Sequence, residues 1–234
     1  MKNLRDLELK DLKKLLEEMG EKPFRAKQIY TWLHQNLVEH YDEMTNISKG
    51  LRDRLSAEYS VALPETVEVL TSKIDGTKKF IFRMQDGHVI ESVWMEYQHG
   101  HSVCISSQVG CRMGCKFCAS TLDGLARNLT SGEMLGQIYQ IQRTTGARVD
   151  NIVIMGSGEP LDNYDEFTRF IRMISDENGL HISRRNITIS TCGLVPKIRQ
   201  LADENYGITL ALSLHAPNDE TRKTLMPIAN KYSL

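Results

Sequence analysis

Along the first sixty residues, apolar side chains recur at helical spacing. Leu4, Leu7, Leu12, Leu15, Leu16 and Met19 share one face, with Lys and Glu between them, and this predicts a helix over 4–19. Gly20 stops it and Pro23 opens a second helix over 24–37, whose apolar side carries Phe24, Ile29, Trp32, Leu33 and Leu37. A third is expected over 48–59, with Ser48 as its N-cap. Then the period changes. Residues 66–74 alternate in part and are rich in Val and Leu. Asp75-Gly76 marks a hairpin turn, 78–84 returns, and Asp86-Gly87 turns again before 88–95. Beyond residue 100, apolar strands are expected over 101–106, 151–155, 186–190 and 207–214. Helices are expected over 131–143, 163–176 and 194–203, with another starting near 218–224. Strands alternating with helices predict parallel β/α units. The expected class is therefore α/β. A helical domain covers 1–63, an antiparallel extension 64–98, and an incomplete β/α barrel of about four units 99–234.

Composition adjusts this picture little. With 234 residues, 41% hydrophobic and 25% charged, the chain can bury one substantial core or two small ones. A net charge of −1 gives no global attraction to nucleic acid, so any basic surface must be local. The lysines and arginines of the early helices are matched by glutamates and aspartates, so their charge does not distinguish a bundle that merely packs from one that docks a partner. The charged start from Met1 to Asp6 has no apolar segment behind it, and no run approaches the ~18 residues of a membrane span. Of five cysteines, four lie between 104 and 118. That clustering is unlike a disulfide framework and suits a reducing cytosol.

Those cysteines carry the chemistry. In the stretch from Gly110 to Ala119, Cys111, Cys115 and Cys118 are spaced C-x3-C-x2-C between glycines. A structural metal usually takes four protein ligands, whereas three leave one position open for a small molecule. The competing reading is a zinc loop that takes its fourth ligand from Cys104 or a histidine. Further on, Gly156-Ser157-Gly158-Glu159-Pro160 offers glycines for close backbone approach and a carboxylate suited to an ammonium group. A Gly-Pro loop with a solvated glutamate would look the same. The thiol loop, this glycine loop, Ser190-Thr191-Cys192-Gly193 and Ser213-Leu214-His215-Ala216 each fall at the C-terminal end of an expected strand. In β/α barrels the reacting groups gather on that rim.

Taken together, these motifs resemble the radical S-adenosylmethionine superfamily. Within it they are most similar to the RlmN/Cfr family, which methylates carbon 2 or carbon 8 of an RNA adenine. The resemblance runs over nearly the whole chain. It implies a partial six-unit barrel, of which about four units lie here. It also implies a [4Fe–4S] cluster on Cys111, Cys115 and Cys118. S-adenosylmethionine would be held by Gly158, Glu159, Ser190, Ser213, Leu214 and His215, with Phe117 beside the cluster. Glu91, thirteen residues before Cys104, matches a glutamate that handles a proton. Cys104, seven before Cys111, matches the resolving cysteine. Cys192 matches no family role and reads as a small buried apolar residue.

The implied reaction adds a methyl group to carbon 2 of an adenine in 23S rRNA, and in transfer RNA. It proceeds through a methyl-cysteine and a 5′-deoxyadenosyl radical, with a low-potential electron donor, in the cytoplasm. Release of product leaves Cys104 in a disulfide. The C8-methylating branch and a non-catalytic Fe–S or zinc module that binds RNA are the alternatives. In family members the methyl-carrying cysteine and a cofactor-contacting asparagine lie beyond the position of Leu234. The expectation is therefore a fragment or a truncated chain, with an open barrel edge and poor stability alone.

Overall fold

The helical period of the first sixty residues becomes α1 (Leu9–Glu18), α2 (Phe24–His34) and α3 (Lys49–Glu58) in the computed structural model, which describes residues 1–98 and 100–234. The Ser48 hydroxyl caps α3 by accepting from the Leu51 N–H. The first helix begins later than its periodicity predicts. Leu4–Asp6 form a separate 3₁₀ turn, capped by the Asn3 side chain. The cause is tertiary: the Arg5 guanidinium is fully buried and donates to the carbonyls of Val38 and Val61. The second helix ends three residues early, where Leu37 takes a left-handed backbone with φ of 55°. Two short strands, β1 (Lys2–Asn3) and β2 (Tyr59–Ser60), pair in parallel and close this helical segment.

The strand signals become β3 (Glu65–Thr71), β4 (Lys78–Arg83), β5 (Val89–Tyr97) and β6 (Gly100–Cys104). Next come β7 (Gln108–Gly110) and β8 (Leu125–Asn128), a small antiparallel pair. Then α4 (Ser131–Thr145), β9 (Asn151–Ile154), α5 (Tyr164–Ile174), β10 (Ile187–Thr191), α6 (Val195–Glu204), β11 (Thr209–Leu212) and α7 (Asp219–Leu225) follow in alternation. Seven strands form one sheet in the order β11-β10-β9-β6-β5-β4-β3. The four barrel strands β6, β9, β10 and β11 are mutually parallel, and β5 joins them to the antiparallel extension through the Val93–Cys104 register. The division expected between residues 98 and 99 falls on His99, which lies outside the described residues.

Because strand side chains alternate, this register assigns each residue to a face. Phe80, Phe82, Ile90, Trp94, Val103, Ile152, Ile154, Ile187 and Ile189 point to one face and are buried in the main core, together with the apolar stripes of α4 and α5. Each such side chain contributes about 1.5–3 kcal/mol by leaving water. The other face carries Glu91, Val93, Cys104, Val153, Thr188 and Ser190, all partly exposed. Helix α4 starts at a capping box: the Thr130 hydroxyl accepts from the Glu133 N–H while the Glu133 carboxylate accepts from the Thr130 N–H. Among the described residues no helix is long and apolar enough to cross a membrane.

Candidate active site

Four strand ends open onto one cavity of about 260 Å³. The thiol loop forms one wall with Cys111, Cys115 and Cys118. Opposite stand Gly156, Gly158 and Glu159 after β9, Ser190 and Cys192 at the end of β10, and Ser213 and His215 after β11. Leu214 falls outside that lining, and its carbonyl accepts from Arg222 instead. Glu91 and Cys104 are not among the residues that line the cavity; they stand on the partly exposed face of the sheet that also carries Ser190. The pairing of Val93 with Cys104 sets the two side chains on the same face, at neighbouring diagonal positions.

Local rules explain the shape of the thiol loop. It is bracketed by β7 and β8, so its ends are held together. The Cys111 N–H donates to the Gly124 carbonyl at 2.9 Å. A Cβ at Gly110, where φ is 73°, would come within 2.0 Å of that same oxygen, so only glycine allows this crossing. The Thr121 hydroxyl reaches the carbonyls of Cys115 and Cys118 at 3.1 and 2.9 Å and tightens the turn. The Lys116 N–H donates to the Leu225 carbonyl, which fixes the loop against α7.

All five cysteines are free. Burial pushes the Cys111 thiol up to about 11 and raises Cys104, Cys115 and Cys192 as well. Such thiols stay protonated until a metal centre supplies compensating positive charge. Among the described residues, no three Cys, His, Asp or Glu side chains gather closely enough to share one ion. A four-iron cube instead holds each thiolate at its own corner. Three thiols on one wall of an open cavity fit that group.

Glu159 is buried, 4% exposed, yet both of its carboxylate oxygens are occupied. Oε1 accepts from the Leu161 N–H at 3.1 Å and Oε2 from the Cys192 N–H at 2.8 Å. Burial raises its pKa, and the Cys192 N–H pulls the other way. The carboxylate thus ties the glycine loop to the β10 loop. The Ser190 and Ser213 hydroxyls meet at 2.9 Å and join the next two strand ends. The Phe117 ring, about half exposed at the cavity mouth, lies against His215 with 4.5 Å between ring centres.

The residues that lock these loops were not evident from spacing. Gln108 is fully buried and makes three bonds: Nε2 to Asn128 and Asp162, and Oε1 from the Glu159 N–H. Arg112, one residue past Cys111, grips Asp162 with two parallel hydrogen bonds of 2.8 and 2.5 Å. This network couples the thiol loop to the glycine loop. Arg112 lies inside the thiol stretch, and Gln108 and Asp162 stand two residues outside the thiol and glycine stretches; no spacing rule marks any of the three.

Comparison with known proteins agrees with this geometry. The family model described as Radical SAM superfamily matches residues 105–233, and that described as Ribosomal RNA large subunit methyltransferase N-terminal domain matches residues 2–61. The probable dual-specificity RNA methyltransferase RlmN of Lachnoclostridium phytofermentans is 62% identical over 232 residues, which span 99% of this chain and 65% of the relative. Its counterpart in Lachnospira eligens is 57% identical over 100% of this chain and 67% of the relative. A crystal structure of a radical SAM methyltransferase from Sphaerobacter thermophilus superposes with a TM-score of 0.93 at 42% identity, over 99% of this chain and 69% of that one. The chain spans about two thirds of the length of the curated relatives it matches.

Proposed function

Because this chain belongs to the RlmN family of radical S-adenosylmethionine methyltransferases, we propose that it methylates carbon 2 of a specific adenine in 23S rRNA, and of an adenine in transfer RNA. The observation that carries this reading is the convergence of the three thiols and Glu159 on one cavity at the strand ends. Carbon 2 of adenine is electron-poor and has no lone pair, so polar methyl transfer finds no nucleophile there. A bound cluster and S-adenosylmethionine would supply the missing reactivity as one-electron chemistry, together with the methyl group.

The chain's own residues then have the following parts. Cys111, Cys115 and Cys118 would hold the cluster. Glu159 would take the ammonium group of the cofactor, and its two backbone hydrogen bonds keep the carboxylate aimed before any ligand arrives. Gly158 lets the backbone come close, and Ser190, Ser213 and His215 would complete the cofactor cradle from the next two strands. Met113, Phe117 and Met226 line the same cavity with apolar surface and would keep water from it.

Cys104 is proposed as the resolving thiol: its sulfur would bond to the sulfur that links protein to RNA, so that a disulfide forms as the carbon–sulfur bond breaks and its electron pair leaves with the methylated base. The pKa of Cys104 is raised by burial, so it needs a base before it can attack. Glu91, on the same sheet face, is proposed to hold and move the proton, and Lys79 pairs with its carboxylate. The helical segment at 1–63 is proposed to dock RNA.

The test is anaerobic reconstitution with iron and sulfide, then reduction and addition of S-adenosylmethionine. Electron paramagnetic resonance and a 5′-deoxyadenosine assay are read together, and an adenine-containing ribosomal RNA fragment is digested and weighed. A spectrum that responds to the cofactor, with 5′-deoxyadenosine formed, is expected, and any methylated base released should be 2-methyladenosine. Formation of 8-methyladenosine would move the assignment to the C8 branch. A site that takes up only zinc, or a cluster indifferent to the cofactor, would refute the enzymatic reading.

A further inference from the structure

Arg222 is the buried charge that the proposed reaction does not use. It projects from α7 and is only 3% exposed, although its helix, Asp219–Leu225, is rich in charged residues that face solvent. Its guanidinium donates to the Cys192 carbonyl at 2.6 Å and to the Leu214 carbonyl at 3.2 Å. Among the described residues no carboxylate forms an ion pair with it. A buried cation satisfied only by carbonyl dipoles carries a desolvation penalty of several kcal/mol unless an anion lies near.

The neighbouring groups identify that anion. Cys192, whose carbonyl Arg222 holds, packs against Cys115 and Met226 in a small buried cluster that Met113 and Cys118 flank. One turn along from Arg222, the Leu225 carbonyl accepts from the Lys116 N–H, between two of the cluster thiols. Arg222 therefore stands directly behind the thiol loop. Three thiolates around an iron–sulfur core are net anionic, and more so after one-electron reduction.

We propose that Arg222 is a positioning residue that holds a fixed positive charge behind the thiol loop, making the cluster easier to reduce while tying the β10 and β11 loops together. This rests on the functional reading above. The fixed charge stabilises the reduced, more anionic form over the oxidised one, and it does so through space without ligating iron. Its hydrogen bonds keep Cys192 and Leu214 in place, which is a separate structural task.

The experiment is a redox titration of the reconstituted chain, followed by electron paramagnetic resonance, for wild type, R222Q and R222K, with iron content and thermal unfolding measured on each. R222Q removes the charge; R222K keeps it. At the wild-type midpoint potential, R222Q should hold about tenfold less reduced cluster, and R222K should lie near wild type. A loaded R222Q with the wild-type midpoint would overturn the proposal and leave Arg222 as a structural tie. If R222Q takes up no iron, R222K decides. A loaded R222K at the wild-type midpoint supports the role of charge. An R222K that is empty or shifted to more negative potential overturns it, since the guanidinium geometry would then be what matters. A wild-type chain that forms no cluster would instead refute the functional reading itself, and the role of Arg222 with it.

Discussion

Replacing Gly158 by alanine should damage the site more than any open-loop glycine replacement, and the structure sets the size of the effect. Gly158 has a φ of 104°, outside the region that L side chains adopt at low cost. A Cβ there would sit 2.6 Å from the Cβ of Gln108, 2.8 Å from its Cγ and 2.8 Å from its backbone nitrogen. Gln108 cannot step aside, because three hydrogen bonds and the backbone of β7 hold it. The backbone conformation costs about 1–2 kcal/mol and the overlap about 1–3 more, so a total of roughly 2–5 kcal/mol is expected. Gly146 is the control. It also has a positive φ, 68°, but nothing lies within 4 Å of its would-be Cβ. Gly146→Ala should therefore cost only the backbone part, about 1–2 kcal/mol. Urea unfolding followed by circular dichroism gives both numbers, and calorimetry with S-adenosylhomocysteine gives the effect on the cavity. There Gly158→Ala should weaken binding by at least about tenfold, since Glu159 is the next residue, whereas Gly146→Ala should leave it unchanged. Equal destabilisation by the two substitutions would refute the reasoning, because it would mean that the close approach to Gln108 carries no energy.

Three further outcomes follow from named contacts. His34 is fully buried, bonds to the Tyr139 hydroxyl at 2.8 Å through Nδ1, and is held well below the usual histidine range by burial and by Arg5. Its native form is neutral while the unfolded chain binds a proton below about pH 6.5, so stability should fall by up to ~1.4 kcal/mol per unit as the pH drops below that point. Chemical denaturation at pH 7.5 and 5.5 should show a weaker dependence in His34→Phe, and an identical dependence would exclude His34 as the cause. Asp162→Ala strips Arg112 and Gln108 of a shared partner and should cost about 1–2 kcal/mol while lowering iron uptake by the thiol loop; undiminished iron content would show that the two loops are held independently. Thr130→Ala removes the hydroxyl that caps α4 and should cost about 1 kcal/mol in urea unfolding, with a loss below a few tenths counting against the capping box.

Much of this site was legible because its chemistry is local. Three thiols within eight residues, a glycine pair before Glu159 and a serine at a strand end need only short-range spacing to be recognised. Element type was legible for the same reason: the 3.6-residue period of α1 to α3 and the β/α alternation after residue 100 express which side each residue turns to the core. The boundaries were less so. The first helix starts late because a buried Arg5 claims the carbonyls of Val38 and Val61, a demand from far along the chain. The β7–β8 pair that brackets the thiol loop was not anticipated, since strands of three and four residues leave almost no periodic trace.

The sequence by itself determined the kinds of element, their order and the spacing of the three thiols, because those depend on neighbours a few residues apart. The tertiary structure alone decided what those ligands face. Sheet register set Glu91 and Cys104 on one face, since a slip of a single residue would have turned one of them to the core. Polar pairing brought Asp162, buried Gln108 and exposed Arg112 together and placed buried Arg222 behind the thiols, from positions up to about a hundred residues apart in the chain. Those contacts form because a desolvated polar group must find a partner wherever the fold supplies one, and no short-range pattern in the chain records where that will be.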